Sequence, residues 1–131
     1  MKKIIASLVV CLFLCGCANT GGIDEYANEY FKKLEIMDWQ GMYSMLNPKA
    51  ATMSYDDFVR GHERMLDRMG NIKSMKLLKY KTQLFPGKTE KAINYGLECE
   101  KGLVQYQIVV EKKGSKFSVS GFQFLLPILD K

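Results

Sequence analysis

Histidine and long apolar runs are scarce in this chain of 131 residues. His62 is the only histidine, and because protein zinc sites draw mainly on histidine and cysteine, zinc chemistry is disfavoured and we expect no metal or other cofactor. The longest nearly apolar run, from Ile4 to Leu14, is about a dozen residues long, whereas a transmembrane helix needs roughly 20. The sequence therefore predicts neither a zinc enzyme nor a membrane-spanning helix.

The first segment is predicted to be an export signal that ends in an acylation motif. Lys2 and Lys3 precede the apolar run, as in a secretory signal. The residues Leu14-Cys15-Gly16-Cys17 resemble the lipobox of bacterial lipoproteins, with Cys15 an unusual residue at its position. The resemblance implies that residues 1–16 are a removed signal peptide and that acyl chains such as palmitate on Cys17 anchor the protein in a membrane of the cell envelope.

Two alternatives to acylation at Cys17 are open. Cys11 is a weaker acceptor because Val10, rather than a small residue, precedes it, and an ordinary secretory signal would be cut near Gly16 or Ala18. Ala18 stands where enteric lipoproteins of the inner membrane carry aspartate. The resemblance therefore favours the outer membrane, facing the periplasm, if the source is Gram-negative.

Cleavage before Cys17 changes the composition of the remaining chain. It leaves 17 basic against 14 acidic residues, so the net charge falls from +5 to +3, and this mild charge on an exported protein disfavours nucleic acid as a partner. Cys99 is then the only free thiol, which excludes an internal disulfide. Residues 17–22 would be the lipidated cysteine and a short tether, and 23–131 a single domain.

Three helices and then four strands are predicted from hydrophobic periodicity. The first stretch of helical spacing follows Asp24, a candidate N-cap, and runs to Asp38, and the second runs from Trp39 to Asn47-Pro48. The third begins after Ser54, which is in capping-box spacing with Asp57, and ends at Gly70. From Ile72 the apolar residues alternate, with turns at 86–88, 101–102 and 113–115. The fold class is α+β, with three N-terminal helices packed on a curved antiparallel sheet of four or more strands.

The order of elements resembles the nuclear-transport-factor-2-like fold, also called the cystatin-like cone. The likeness is carried by Tyr30-Phe31 to Leu34, by the break Asp38-Trp39 with Tyr43 and Leu46, by 69–74, and by 116–122. These stretches resemble the small bacterial lipoprotein and exported families of this fold that have no assigned function. The resemblance implies a cavity between helices and sheet.

The strand acids do not match the enzymes of this fold, which place a carboxylate and a tyrosine inside the cavity. Glu98, Glu100 and Glu111 alternate out of phase with the apolar residues of their strands. We therefore predict that the protein is not an enzyme but a module that binds an apolar small ligand or a partner segment. The predicted cavity lining is Tyr95, Tyr106, Phe117, Phe122, His62, Met65 and Met69. The alternative is a structural protein that forms a homodimer through its sheet.

Three sharper interpretations compete with ordinary packing or solvation. A Cys99–His62 nucleophile pair lacks a third group to orient the base. The methionines between Met37 and Met75 are soft enough for Cu(I) but coincide with the apolar helix faces. Lysines crowd the region from Lys73 to Lys91, where only Glu90 offsets them, and they are either a solvated sheet face or a contact with anionic lipid.

Overall fold

The computed structural model describes residues 21–49 and 52–127, in which three helices precede four strands. The elements are α1 (Ile23–Glu35), α2 (Trp39–Ser44), α3 (Tyr55–Met69), β1 (Ile72–Phe85), β2 (Lys88–Cys99), β3 (Gly102–Lys113) and β4 (Lys116–Leu125). This confirms the predicted order and the α+β class. Cys17 and the rest of the export signal lie outside the described residues. None of the helices described is long and apolar enough to cross a membrane.

The helix ends follow local capping rules, with one difference from the sequence prediction. Asp24 is not the N-cap of α1, because Gly22 takes that position with φ 90°, and the Asp24 carboxylate instead accepts a hydrogen bond from Lys91 Nζ at 2.7 Å. The predicted cap of α3 is confirmed, since Ser54 Oγ accepts from the backbone N–H of Asp57 at 3.1 Å. The end of α3 at Gly70, with φ 85°, is also confirmed.

The four strands form one antiparallel sheet in sequence order, so β1 and β4 are its edges. The β2–β3 pairing is regular throughout, whereas β1 and β4 contain bulges. The register of β1 shifts between Leu77 and Lys79. The bulge separates Leu78 from Tyr80, Thr82 and Leu84, although strict alternation predicted that these four share a face. Leu78 lies on the outer face, beside Leu103 and over Gly96.

The helices cover the inner face of the sheet and bury one hydrophobic core. The core side chains of residues 21–49 and 52–127, including those that are half-buried, lie between Ile23 and Leu126. A chain that starts at residue 18 keeps all of these side chains. We expect such a shortened chain to fold without the segment before it.

Candidate functional site

A chain of three hydrogen bonds crosses the middle of the core. The hydroxyl groups of Tyr30 on α1 and Tyr106 on β3 are 2.8 Å apart. His62 on α3 contacts the Tyr106 hydroxyl through Nε2 at 2.6 Å and the carbonyl oxygen of Phe58 through Nδ1 at 2.8 Å. The two tyrosines and the histidine are almost fully buried. The chain of bonds thus ties two helices to the centre of the sheet.

The directions of the three hydrogen bonds follow from the acceptor at the end of the chain, the carbonyl oxygen of Phe58. A carbonyl oxygen can only accept, so Nδ1 of His62 carries the hydrogen and donates to Phe58. In a neutral imidazole Nε2 is then an acceptor, so the Tyr106 hydroxyl donates to it, and the Tyr30 hydroxyl donates to the Tyr106 oxygen. Neither ring nitrogen of His62 is left for a substrate or for Cys99.

Burial keeps these groups neutral. Desolvation lowers the pKa of His62 to about 4, against a smaller opposing effect of the hydrogen bond to Phe58. Desolvation also raises the pKa of Tyr30 and of Tyr106. A neutral histidine with both ring nitrogens hydrogen-bonded and 1% of its surface exposed has a structural role in the core.

Aromatic rings fill the space around this histidine. The ring centroids of Trp39, Phe58, Phe122 and Phe124 lie 4.4 to 5.5 Å from that of His62. Of the predicted cavity lining, His62, Met65, Met69 and Tyr106 are buried in this core, and Phe122 packs at its edge. Phe117 lies elsewhere, stacked on Tyr26 with 5.6 Å between ring centroids. Their role as a cavity lining stays a prediction.

A cleft of about 270 Å³ lies between α1 and the strands β1 and β2. Tyr95 is the one member of the predicted lining that faces it. Under the cleft, Phe31 stacks on Tyr95 with a centroid distance of 4.0 Å and meets Tyr106 edge-on at 5.5 Å. The cleft is lined by Asp24, Ala27, Asn28, Leu77, Tyr80, Lys91, Ile93 and Tyr95. It is therefore a half-polar site resting on the aromatic core.

The polar side chains of the cleft are held in place by one another. Lys91 Nζ donates to Asp24 at 2.7 Å and lies 4.2 Å from the centroid of the Tyr80 ring. The Tyr95 hydroxyl donates to the Asn28 side-chain oxygen at 2.9 Å, and burial followed by the Asp24 charge raises the pKa of Tyr95. The cleft offers a cation, an amide and an exposed aromatic face to a ligand.

Sequence reasoning missed most of this cleft. Lys91 is in phase with Ile93 and Tyr95 on β2, so its position on the inner face of the sheet was readable from alternation. A lysine that alternates in phase with the inward-facing residues of its strand is the signal by which the site could have been found. Leu77 and Tyr80 enter the cleft only because of the β1 bulge, for which no turn or glycine signal exists in that stretch of sequence.

The strand acids lie as their phase predicted, with one addition. Glu98 and Glu100 are exposed at the end of β2. Glu111 is on the outer face but only 8% exposed, because Lys88 lies 3.7 Å from its carboxylate and is also paired with Glu90 at 3.1 Å. None of these acids faces the core or the cleft.

Cys99 and the core methionines show packing contacts. Cys99 is buried, and burial followed by the Glu100 charge raises the pKa of its thiol. Met42, Met45, Met65 and Met69 are core residues. Across residues 21–49 and 52–127, no three His, Cys, Asp or Glu side chains are grouped so that they could hold a metal ion.

Comparison with solved structures shows that this arrangement of helices on an antiparallel meander is the nuclear-transport-factor-2-like fold. A protein of Campylobacter jejuni, provisionally named an NTF2-like transpeptidase, matches with a TM-score of 0.53 and 16% identity over 76% of this chain and 97% of its own. Bd1075 of Bdellovibrio bacteriovorus matches with a TM-score of 0.56 and 11% identity. That match covers 83% of this chain and 40% of Bd1075. Neither a scan against protein-family models nor a search of curated proteins finds a match.

Proposed function

We propose that this protein is a lipid-anchored bacterial envelope protein whose cone-shaped domain binds a small ligand or a partner segment without catalysis. The observation that carries the proposal is the cleft between α1 and β1–β2. Tyr80 and Leu77 offer an apolar wall there, and Lys91 with Asn28 offers polar groups. We infer a small amphipathic ligand with a flat apolar part against Tyr80 and a polar group near Lys91.

The chemistry of the core supports a non-catalytic role. A general base must reach the proton that it removes, but both nitrogens of His62 are already bonded inside the core. The name of the Campylobacter neighbour suggests acyl transfer, which needs an activated nucleophile. Cys99 does not supply one, because it is buried and its thiol pKa is raised.

Ligand binding is tested on the full chain extracted from its own membranes and examined by native mass spectrometry. We expect wild type to carry the extra mass of a small molecule and Tyr80→Ala to lose it. Tyr55→Ala is the matched control, because Tyr55 is also a surface tyrosine but lies on α3, outside the cleft. Bare wild-type protein, or equal loss in both variants, would contradict the proposed binding.

The anchor is tested separately by metabolic labelling with palmitate. We expect label on wild type and on Cys15→Ser but none on Cys17→Ala. Label that survives Cys17→Ala would refute acylation at that residue. Fractionation of the same cells tests the proposed outer-membrane location.

A structural protein that dimerises through its sheet is the second candidate. One observation favours it: β1 is an edge strand of 14 residues with several exposed apolar side chains, and unpaired strand edges can add a further strand. Light scattering on the chain from residue 18 measures its mass in solution and tests this alternative, which requires twice the mass of one chain.

A further inference from the structure

Two of the three hairpin turns, β1–β2 and β3–β4, lie with the start of the domain at one end of the sheet, which we name the turn end. Thr89 at the start of β2 pairs with Lys112 at the end of β3, so the β1–β2 and β3–β4 turns are side by side. Lys112 Nζ donates to the carbonyl oxygen of Gly21 at 3.0 Å, and Lys91 binds Asp24. Gly21, the first residue that the structure describes, therefore lies at the turn end.

The β1–β2 turn carries large apolar side chains into solvent. Leu84 is 66% exposed and Phe85 is 41% exposed. The two residues are adjacent in a strand and so point to opposite faces of the sheet. A protein partner on one face of the sheet would cover only one of these side chains, whereas a lipid layer into which the turn inserts would cover both.

The turn end also carries exposed positive charge. Lys113 and Lys116 are exposed and form no ion pair among the described residues. Most of the carboxylates nearby already have partners: Asp24 binds Lys91, and Glu90 and Glu111 bind Lys88. At the opposite end of the sheet, Lys73 and Lys101 are accompanied by Glu98 and Glu100.

We propose that the turn end docks on an anionic lipid surface. Leu84 and Phe85 enter the boundary between head groups and acyl chains, and Lys113 and Lys116 contact lipid phosphates. The setting rests on the proposed anchor at Cys17, from which the five residues 18–22 can span at most roughly 17 Å. That reach keeps the turn end within roughly 17 Å of the bilayer.

The test uses the chain from residue 18, which keeps the core side chains that the structure describes and has no acyl chains, so its outcome is independent of acylation. Co-sedimentation is measured with vesicles of phosphatidylglycerol and phosphatidylcholine in equal parts, and with phosphatidylcholine alone. We expect binding to the anionic vesicles at low salt, weaker binding as salt screens the charges, and little binding to neutral vesicles. Equal binding to both compositions, or binding to neither, would overturn the proposal.

Matched variants locate the contact. Lys113→Gln with Lys116→Gln should lower the partition coefficient by about 25-fold, since each lysine near the surface contributes about 5-fold. Lys73→Gln with Lys101→Gln removes the same charge at the opposite end and should have little effect. Leu84→Ser should lower partitioning by about tenfold, whereas Leu103→Ser, also at an exposed leucine, should not. Equal effects of the paired variants would contradict docking by this end.

Self-association is the competing explanation of the same exposed residues. If Leu84 and Phe85 cover a second copy, light scattering will show a dimer that Leu84→Ser dissociates. That result would overturn membrane docking by the turn end. A monomer that binds anionic vesicles supports it.

Discussion

Lowering the pH should destabilise the domain through one residue, His62. Its pKa is about 4 in the folded protein, because burial disfavours the charged imidazolium, and about 6.5 in the unfolded chain. Between these values the unfolded chain binds a proton that the folded protein does not. The free energy of unfolding therefore falls as the pH falls from 6.5 to 4, and the full stabilisation is present only above about pH 6.5.

The size of the effect follows from the two pKa values. At about 1.4 kcal/mol for each pH unit, a pKa lowered from 6.5 to about 4 is worth about 3 kcal/mol across that window. A protonated Nε2 would also face the Tyr106 hydroxyl, which then has to give up its role as donor to that nitrogen. Small domains have only about 5–15 kcal/mol of stability in total, so this loss is measurable.

Urea unfolding followed by the fluorescence of Trp39 is the assay, because this single tryptophan packs on the His62 ring with 5.3 Å between ring centroids. Carboxylates titrate in part of the same window, so the useful quantity is the difference between wild type and His62→Gln. We expect that difference to shrink by about 3 kcal/mol from pH 7 to pH 4. A difference that stays constant with pH would refute the neutral, buried histidine.

Two further predictions concern buried groups. Tyr106→Phe leaves Nε2 of His62 without its donor and the Tyr30 hydroxyl without its acceptor, so it should lower the free energy of unfolding by about 2–4 kcal/mol. Tyr30→Phe removes only the hydrogen bond between the two tyrosines and should lower it by about 1 kcal/mol. Equal losses in urea unfolding would contradict the assigned donor directions. Cys99 should react with iodoacetamide much more slowly in folded than in urea-unfolded protein, because the thiol is buried and its pKa is raised. The rate of labelling is measured by mass spectrometry. Fast labelling of the folded protein would contradict the burial of Cys99.

The helices and strands were largely predictable because their signals are local. Ser54 and Gly70 mark the ends of α3 by capping chemistry alone, and the strict alternation of β2 and β3 matches their unbroken pairing. Asp24 misled as a cap because its carboxylate is used in a long-range contact with Lys91, which no local rule contains.

The candidate site was much less predictable, because it depends on packing between distant elements. Most of the predicted cavity lining lies on the buried faces of α3 and β3, where rings pack around His62, and its role as a lining stays a prediction. The cleft between α1 and β1–β2 depends on the point where β1 leaves its regular register at Leu78. Periodicity indicates which face of a strand is buried but not how much room remains next to it.

The central claim, binding in the cleft between α1 and β1–β2, is tested most directly by nuclear magnetic resonance on the protein with and without its co-purified ligand. We predict that removal of the ligand shifts the amide signals of Asn28, Lys91 and Tyr95 while the imidazole signals of His62, the only histidine, stay unchanged. Shifts at His62 and Tyr106 with no change in the cleft would contradict the account.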